Sequence, residues 1–275
     1  MAPRGSKKVW ANRNKMELED PSERLSLGKP PVVEVMLGFD FKKPNKISAL
    51  HLGRFWTEIA EQYPTLERID KAVVQVAFGF AEEPQKLISQ DRAWVLQMKR
   101  GAISLSWVKQ PHLDYPRFTE IKDRFNQLFA LFSESLEQQG IETDIEGIHL
   151  CYVNKIDFPE NTTSPWVTQV FTNLTWPEPE GALVPDAFSL QATYPFPSGR
   201  GRVAVSINSP VIDVTRDSGR PVILFQLDAR GRVSPNTSNE ELSGWFVEAR
   251  DSVSTVFEQL TEESIREKEW EQAKK

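Results

Sequence analysis

Between residues 32 and 41 the odd positions Val33, Val35, Leu37, Phe39 and Phe41 are all apolar, whereas the even ones include Glu34, Gly38 and Asp40. A period of two with one apolar set predicts a strand with one buried face. The period then changes. Leu52, Phe55, Trp56, Ile59 and Tyr63 recur at helical spacing behind Ser48, a natural cap, and stop at Pro64, which predicts a helix of about four turns. Residues 73–80 are strand-like again. After a polar, proline-containing loop, residues 93–98, a Lys99-Arg100-Gly101 turn and the alternating Ile103, Leu105 and Trp107 predict a hairpin.

Pro116, suited to a first helical turn, precedes the clearest helical stripe of the chain: Phe118, Ile121, Phe125, Leu128, Phe129, Phe132 and Leu136, closed by Gly140. A strand is predicted at 148–156. Three more follow at 188–194, 202–208 and 221–227, separated by turns at 197–201 and 217–220. The last helix starts at a capping box, Ser238 with Glu241 three residues on, and carries Leu242, Trp245, Phe246, Ala249, Val253, Val256, Phe257 and Leu260 on one side.

Long helices among antiparallel strands give an α+β class: mainly antiparallel sheet packed against two or three long helices, arranged as two helix-grip-like halves. The expected organisation is a disordered leader at 1–28, an N-terminal half at 29–158, and a Pro- and Trp-rich crossover at 159–185. A β-meander plus long helix follows at 186–268, then a frayed tail at 269–275.

Composition sets limits on this picture. Hydrophobic residues make up 39% of the chain and charged residues 26%, the balance of a folded globule. No apolar run reaches the roughly 18–20 residues of a membrane helix and the N-terminus has no apolar signal core, so a cytoplasmic location is expected. A net charge of −6 argues against a general phosphate-binding surface, and nucleic acid is not an expected partner.

The single cysteine, Cys151, cannot form an internal disulfide and reads as a small buried hydrophobe. His51, His112 and His149 are far apart, with no second ligand at metal spacing. No glycine-rich phosphate loop or nucleophile elbow is present. Hence no cofactor, no metal and no catalytic residue is assigned.

Four polar residues stand out as tentative ligand contacts. Tyr115 and Arg117 flank Pro116; they read first as parts of a helix start, with Arg117 toward solvent or a carboxylate. Functionally, the same pair offers donors to an anionic ligand at a helix N-terminus. Asn154 shares parity with Ile148, Leu150, Tyr152 and Ile156, so alternation places its amide on the buried face, where it must find partners. It either bonds backbone or anchors a ligand in a pocket with Tyr152. Glu34 faces away from its strand's apolar set and reads as a partner for Arg or Lys. Trp166 and Trp176, in the crossover, are candidate interface residues, or else cap the core.

Four segments, Pro-Pro-Val-Val-Glu-Val at 30–35, Trp-Val-Leu-Gln at 94–97, Tyr-Pro-Arg-Phe at 115–118 and Tyr-Val-Asn-Lys-Ile at 152–156, stand in an order and spacing that resembles a sporadically distributed bacterial family of unassigned activity. The resemblance runs from about residue 30 to about 265. It implies a cytoplasmic bacterial protein, and the patchy occurrence of such proteins implies accessory genes such as defence or toxin–antitoxin loci.

The favoured reading is therefore a non-enzymatic interaction protein, antitoxin-like or defence-associated, whose partner is another bacterial protein encoded nearby; homo-oligomerisation is left open. The alternative is a small-molecule or nucleotide-binding module with a pocket between sheet and helix. An enzyme whose carboxylates and arginines converge from distant strands is the third reading.

Overall fold

The computed structural model describes residues 25–43, 46–68, 85–157, 167–172, 174, 187–212, 221–235 and 237–272. The expected strand at 73–80 and the candidates Trp166 and Trp176 lie outside the described residues. Nine strands form one antiparallel sheet: β1 (Val32–Phe41), β2 (Thr65–Arg68), β3 (Gln85–Ile88), β4 (Trp94–Lys99), β5 (Ala102–Val108), β6 (Ile145–Asp157), β7 (Phe188–Pro195), β8 (Arg202–Ile212) and β9 (Pro221–Arg232). Their order across the sheet is β2-β3-β4-β5-β1-β6-β9-β8-β7.

Among the described residues five helices accompany them: α1 (Ala49–Ile59), α2 (Phe118–Glu137), α3 (Val167–Val170), α4 (Asn239–Leu260) and α5 (Glu263–Lys268). None is long and apolar enough to cross a membrane.

The two long helices lie on one face of the sheet. Val35 pairs with Trp107 on β5 and with Tyr152 on β6, and Leu37 pairs with Leu105 and Leu150, so the apolar sets of neighbouring strands share that face. Phe39 sits at the centre. Its ring lies 5.0 Å from Phe125 of α2 and 5.7 Å from Phe246 of α4, and those two rings are 5.7 Å apart. Burying these rings against one another supplies apolar area and edge-to-face contacts at the same point.

The chain runs twice through one topology. A strand (β1), a helix (α1), a meander ending in β5 beside β1, and a long helix (α2) are followed by a strand (β6), a short helix (α3), a meander ending in β9 beside β6, and a long helix (α4). The halves join through the antiparallel β1–β6 pair. Side chains near the start of α2 consequently face α4: Lys122 Nζ donates to Ser243 Oγ, in the second turn of α4, at 3.2 Å.

Several helix boundaries follow the expected local chemistry. Ser238 and Glu241 form the reciprocal box at the start of α4, Ser238 N–H donating to Glu241 Oε2 at 2.7 Å and Glu241 N–H to Ser238 Oγ at 3.2 Å. At α1 the residue completing the box with Ser48 is His51, whose Nδ1 accepts from the Ser48 N–H at 3.0 Å. Gly140 takes φ 74° after α2, a conformation that favours glycine.

Three expectations are corrected. The proline-containing loop before residue 93 contains β3, and Thr65–Arg68 adds β2 at the sheet edge. Alternation placed Val33 in the core, but a register shift between Val32 and Glu34 makes Val32 the buried residue, at 3% exposure, as an extra residue in one strand inverts the faces. The chain after α4 forms α5, and of the tail expected to fray at 269–275 the stretch to 272 is folded back and hydrogen-bonded. Ile265 and Trp270 are buried, and Trp270 packs 5.3 Å from Phe257.

Candidate functional site

A cavity of about 760 Å³ lies between β6, the start of α2 and the later turns of α4. Its floor comes from β6, where Tyr152 and Asn154, two residues apart, project to the helix-bearing face, joined by Leu227 of β9, the direct partner of Tyr152. Tyr115, Arg117, Phe118 and Lys122 form one wall, and Val247, Arg250, Asp251, Ser254 and Phe257 the other. The bulge at the start of β1 turns Val32 toward it.

Its last side is a strap. Leu25, Leu27, Pro30 and Pro31 line the cavity, and Leu27 bridges to Gln272. Gly28 and Lys29 donate backbone hydrogen bonds to the carbonyls of Glu271 and Trp270, both at 3.1 Å. Lys29 Nζ pairs with Glu271 Oε1 at 2.5 Å. The end of the expected leader is therefore held by the segment after α5.

All four residues singled out as ligand contacts meet here. Pro116 restricts Tyr115 to extended backbone, which carries its ring under the sheet edge to 5.1 Å from Trp107. Tyr115, Tyr152 and Arg250 share the lining, and the two phenols are close enough to perturb each other's titration, as Arg250 perturbs both. Burial pushes Tyr115 above the usual phenol range, against the lowering effect of Tyr152 and of Arg250. Tyr152 is pushed well above it, by burial first and then by Tyr115, with Arg250 opposing. At neutral pH both remain protonated donors.

Asn154 is 3% exposed, and its Nδ2 donates to the carbonyl of Phe225 at 3.1 Å, so it bonds backbone and borders the cavity at once. Arg117 is the N-cap of α2, gives no side-chain cap bond, and stands exposed at the rim.

Arg250 and Lys122 were not among the residues expected from sequence to contact a ligand. Arg250 Nη1 donates to Asp251 Oδ1 at 3.2 Å. Both cations sit beside apolar positions of amphipathic helices, where a residue facing another helix and one facing water carry the same spacing. The strap gave no local signal either.

Other chemistry-bearing residues lie on the helix-free face. Cys151 is buried and its thiol is raised well above its ordinary range, chiefly by burial and then by Asp228 and Glu34, the opposite of an activated nucleophile. Glu34 is raised by burial, with nearby Ser106 and Lys86 opposing the shift. His149 is depressed to about 3 by burial, Arg230 and Lys99. Among the described residues no group of His, Cys, Asp and Glu could hold a metal ion.

A larger groove of about 1160 Å³ shares Arg117 but is open and bordered by Glu61, Asp91, Glu120 and Asp123. Its Arg124 stacks 4.4 Å from the Trp94 ring and donates to the Tyr63 hydroxyl at 3.2 Å. Comparison with known protein families and with curated proteins finds no match.

Proposed function

We propose that this protein is a small-molecule-binding module whose ligand lies in the cavity between β6, α2 and α4. One observation carries the reading: polar side chains from three separate elements, Tyr115, Tyr152 and Arg250, converge in an otherwise largely apolar recess. A recess with a few fixed polar groups is the usual form of a ligand site. The volume suits a molecule of metabolite size.

Binding without catalysis is the reading the chemistry favours. The phenols are held protonated and the neighbouring carboxylate, Asp251, is paired to Arg250, so the site has donors but no base poised to take a proton. The protein-partner reading rested on the acidic balance, the lack of a catalytic constellation and the patchy occurrence of the resembling family, and its interface candidates Trp166 and Trp176 lie outside the described residues.

The test is to incubate the full chain with a metabolite extract, re-isolate it by gel filtration and identify bound molecules by mass spectrometry. A Ser254→Trp variant, checked for folding by circular dichroism, runs in parallel. Wild type should retain a molecule that the filled-cavity variant loses. Equal retention by both proteins, or none by either, would overturn the reading.

A further inference from the structure

The repeated topology places a second cavity at the equivalent position of the other half, and the two differ in charge. The first lies at the start of α2 and the later turns of α4; its counterpart, of about 600 Å³, lies at the start of α4 and the later turns of α2, between Asn239, Leu242, Phe129 and Ser133. Among the described residues, the charged groups of the counterpart are Glu134, Glu137 and Asp144, with no cation. Those of the first cavity are, among the described residues, Arg117, Lys122 and Arg250 against the one carboxylate Asp251, in a chain of net charge −6.

The fold alone does not produce that difference, since both cavities occupy the same place in it. Concentrating cations in a recess, in a chain with an acidic excess, leaves a positive potential that low-dielectric walls focus. We infer that the ligand is an amphipathic monoanion, an apolar body ending in a single acid group, whose acid is held by Arg250 and the Tyr115–Tyr152 pair. This inference rests on the small-molecule-binding reading and gives it a chemical class.

The details fit a carboxylate better than a neutral or cationic group. Tyr115 and Tyr152 both line the cavity with Arg250, and both phenols stay protonated at neutral pH, so each keeps an O–H to offer an acceptor placed there. A carboxylate beside a guanidinium and a phenol receives charge-assisted bonds, about twice as strong as neutral ones. Apolar side chains complete the site: Leu27, Pro31, Leu227, Val253 and Phe257 surround the remaining volume. An apolar tail gains free energy there by leaving water, and the strap closes over it.

The experiment uses three probes with one tail and different heads: 4-phenylbutyrate, 4-phenylbutyramide and 4-phenylbutylamine, titrated into the full chain by calorimetry up to millimolar concentration. The acid should bind at least tenfold more tightly than the amide, and the amine more weakly still. Arg250→Gln should bring the acid to the affinity of the amide while leaving the amide unchanged; Lys122→Gln, on the wall, should cost the acid a few-fold. Glu134→Gln in the counterpart cavity should change nothing.

Equal binding of acid and amide, blocked by Ser254→Trp, would overturn the anion assignment while sustaining the small-molecule reading. Binding of no probe, or binding indifferent to Ser254→Trp, would overturn both. Loss of all three probes in Arg250→Gln with Lys122→Gln unaffected would also contradict an acid-specific anchor.

Discussion

The two halves of this chain put the same elements around two recesses and then treat them differently. Around the recess at the start of α2 stand two half-buried phenols, three cations and a strap latched by the C-terminal segment. Around its counterpart at the start of α4 stand acidic and hydroxyl side chains from α2 and the 143–145 segment. Architecture, then, explains why recesses occur where a long helix begins above the β1–β6 pair. Side-chain chemistry decides which recess can hold a ligand.

The strongest perturbation should strike what the halves share. Phe39→Ala removes the ring that touches both long helices and should lower unfolding free energy by about 3–5 kcal/mol, read by chemical denaturation. A loss below about 1 kcal/mol would mean that the halves do not depend on a common centre. Trp270→Ala comes next: it removes a 6%-exposed ring packed on Phe257, at a cost of about 3 kcal/mol. Faster amide exchange is expected at residues 27–29 before the counterpart recess is affected; simultaneous loosening of both would break the contrast.

Acid offers a third lever, acting on the β1–β6 seam. His149 has its folded pKa depressed from 6.5 to about 3, so below pH 6.5 the unfolded chain binds a proton that the folded chain refuses. That stability is fully present above about pH 6.5 and is lost as pH falls toward 3, by ~1.4 kcal/mol per unit. Glu34 and Asp228, raised by burial, work in the opposite sense and stabilise the folded state as they take up protons. Comparing His149→Asn with wild type at pH 7 and pH 4.5 isolates the histidine: the variant should lose less stability on acidification. A smaller effect is expected from Tyr152→Phe, which deletes one hydroxyl at a cost of about 1 kcal/mol; an unchanged ligand affinity in that variant would remove the phenol pair from the site.

Much of this fold was legible because burial on one face imposes a period. β1, β5 and β6 alternate, and α2 and α4 carry apolar stripes with the expected starts at Pro116 and Ser238. Four-residue strands such as β2, at the sheet edge, and β3 beside it are too short to show a period. The bulge at Val33 is invisible to alternation, which assumes that no residue is inserted. At the site, parity alone put Tyr152 and Asn154 on the covered face, and the proline beside Tyr115 marked a helix start. Arg250 was not legible, because its role depends on α4 lying across the start of α2, a long-range fact that local spacing does not carry.

The most direct test of the contrast is the amide NMR spectrum of the full chain titrated with 4-phenylbutyrate. Shift changes should gather at Tyr115–Lys122 residues 115–122, at 152–154 of β6 and at 247–257 of α4, leaving 129–137 and 239–242 undisturbed. Changes centred on the counterpart recess, or spread evenly over the sheet, would contradict it.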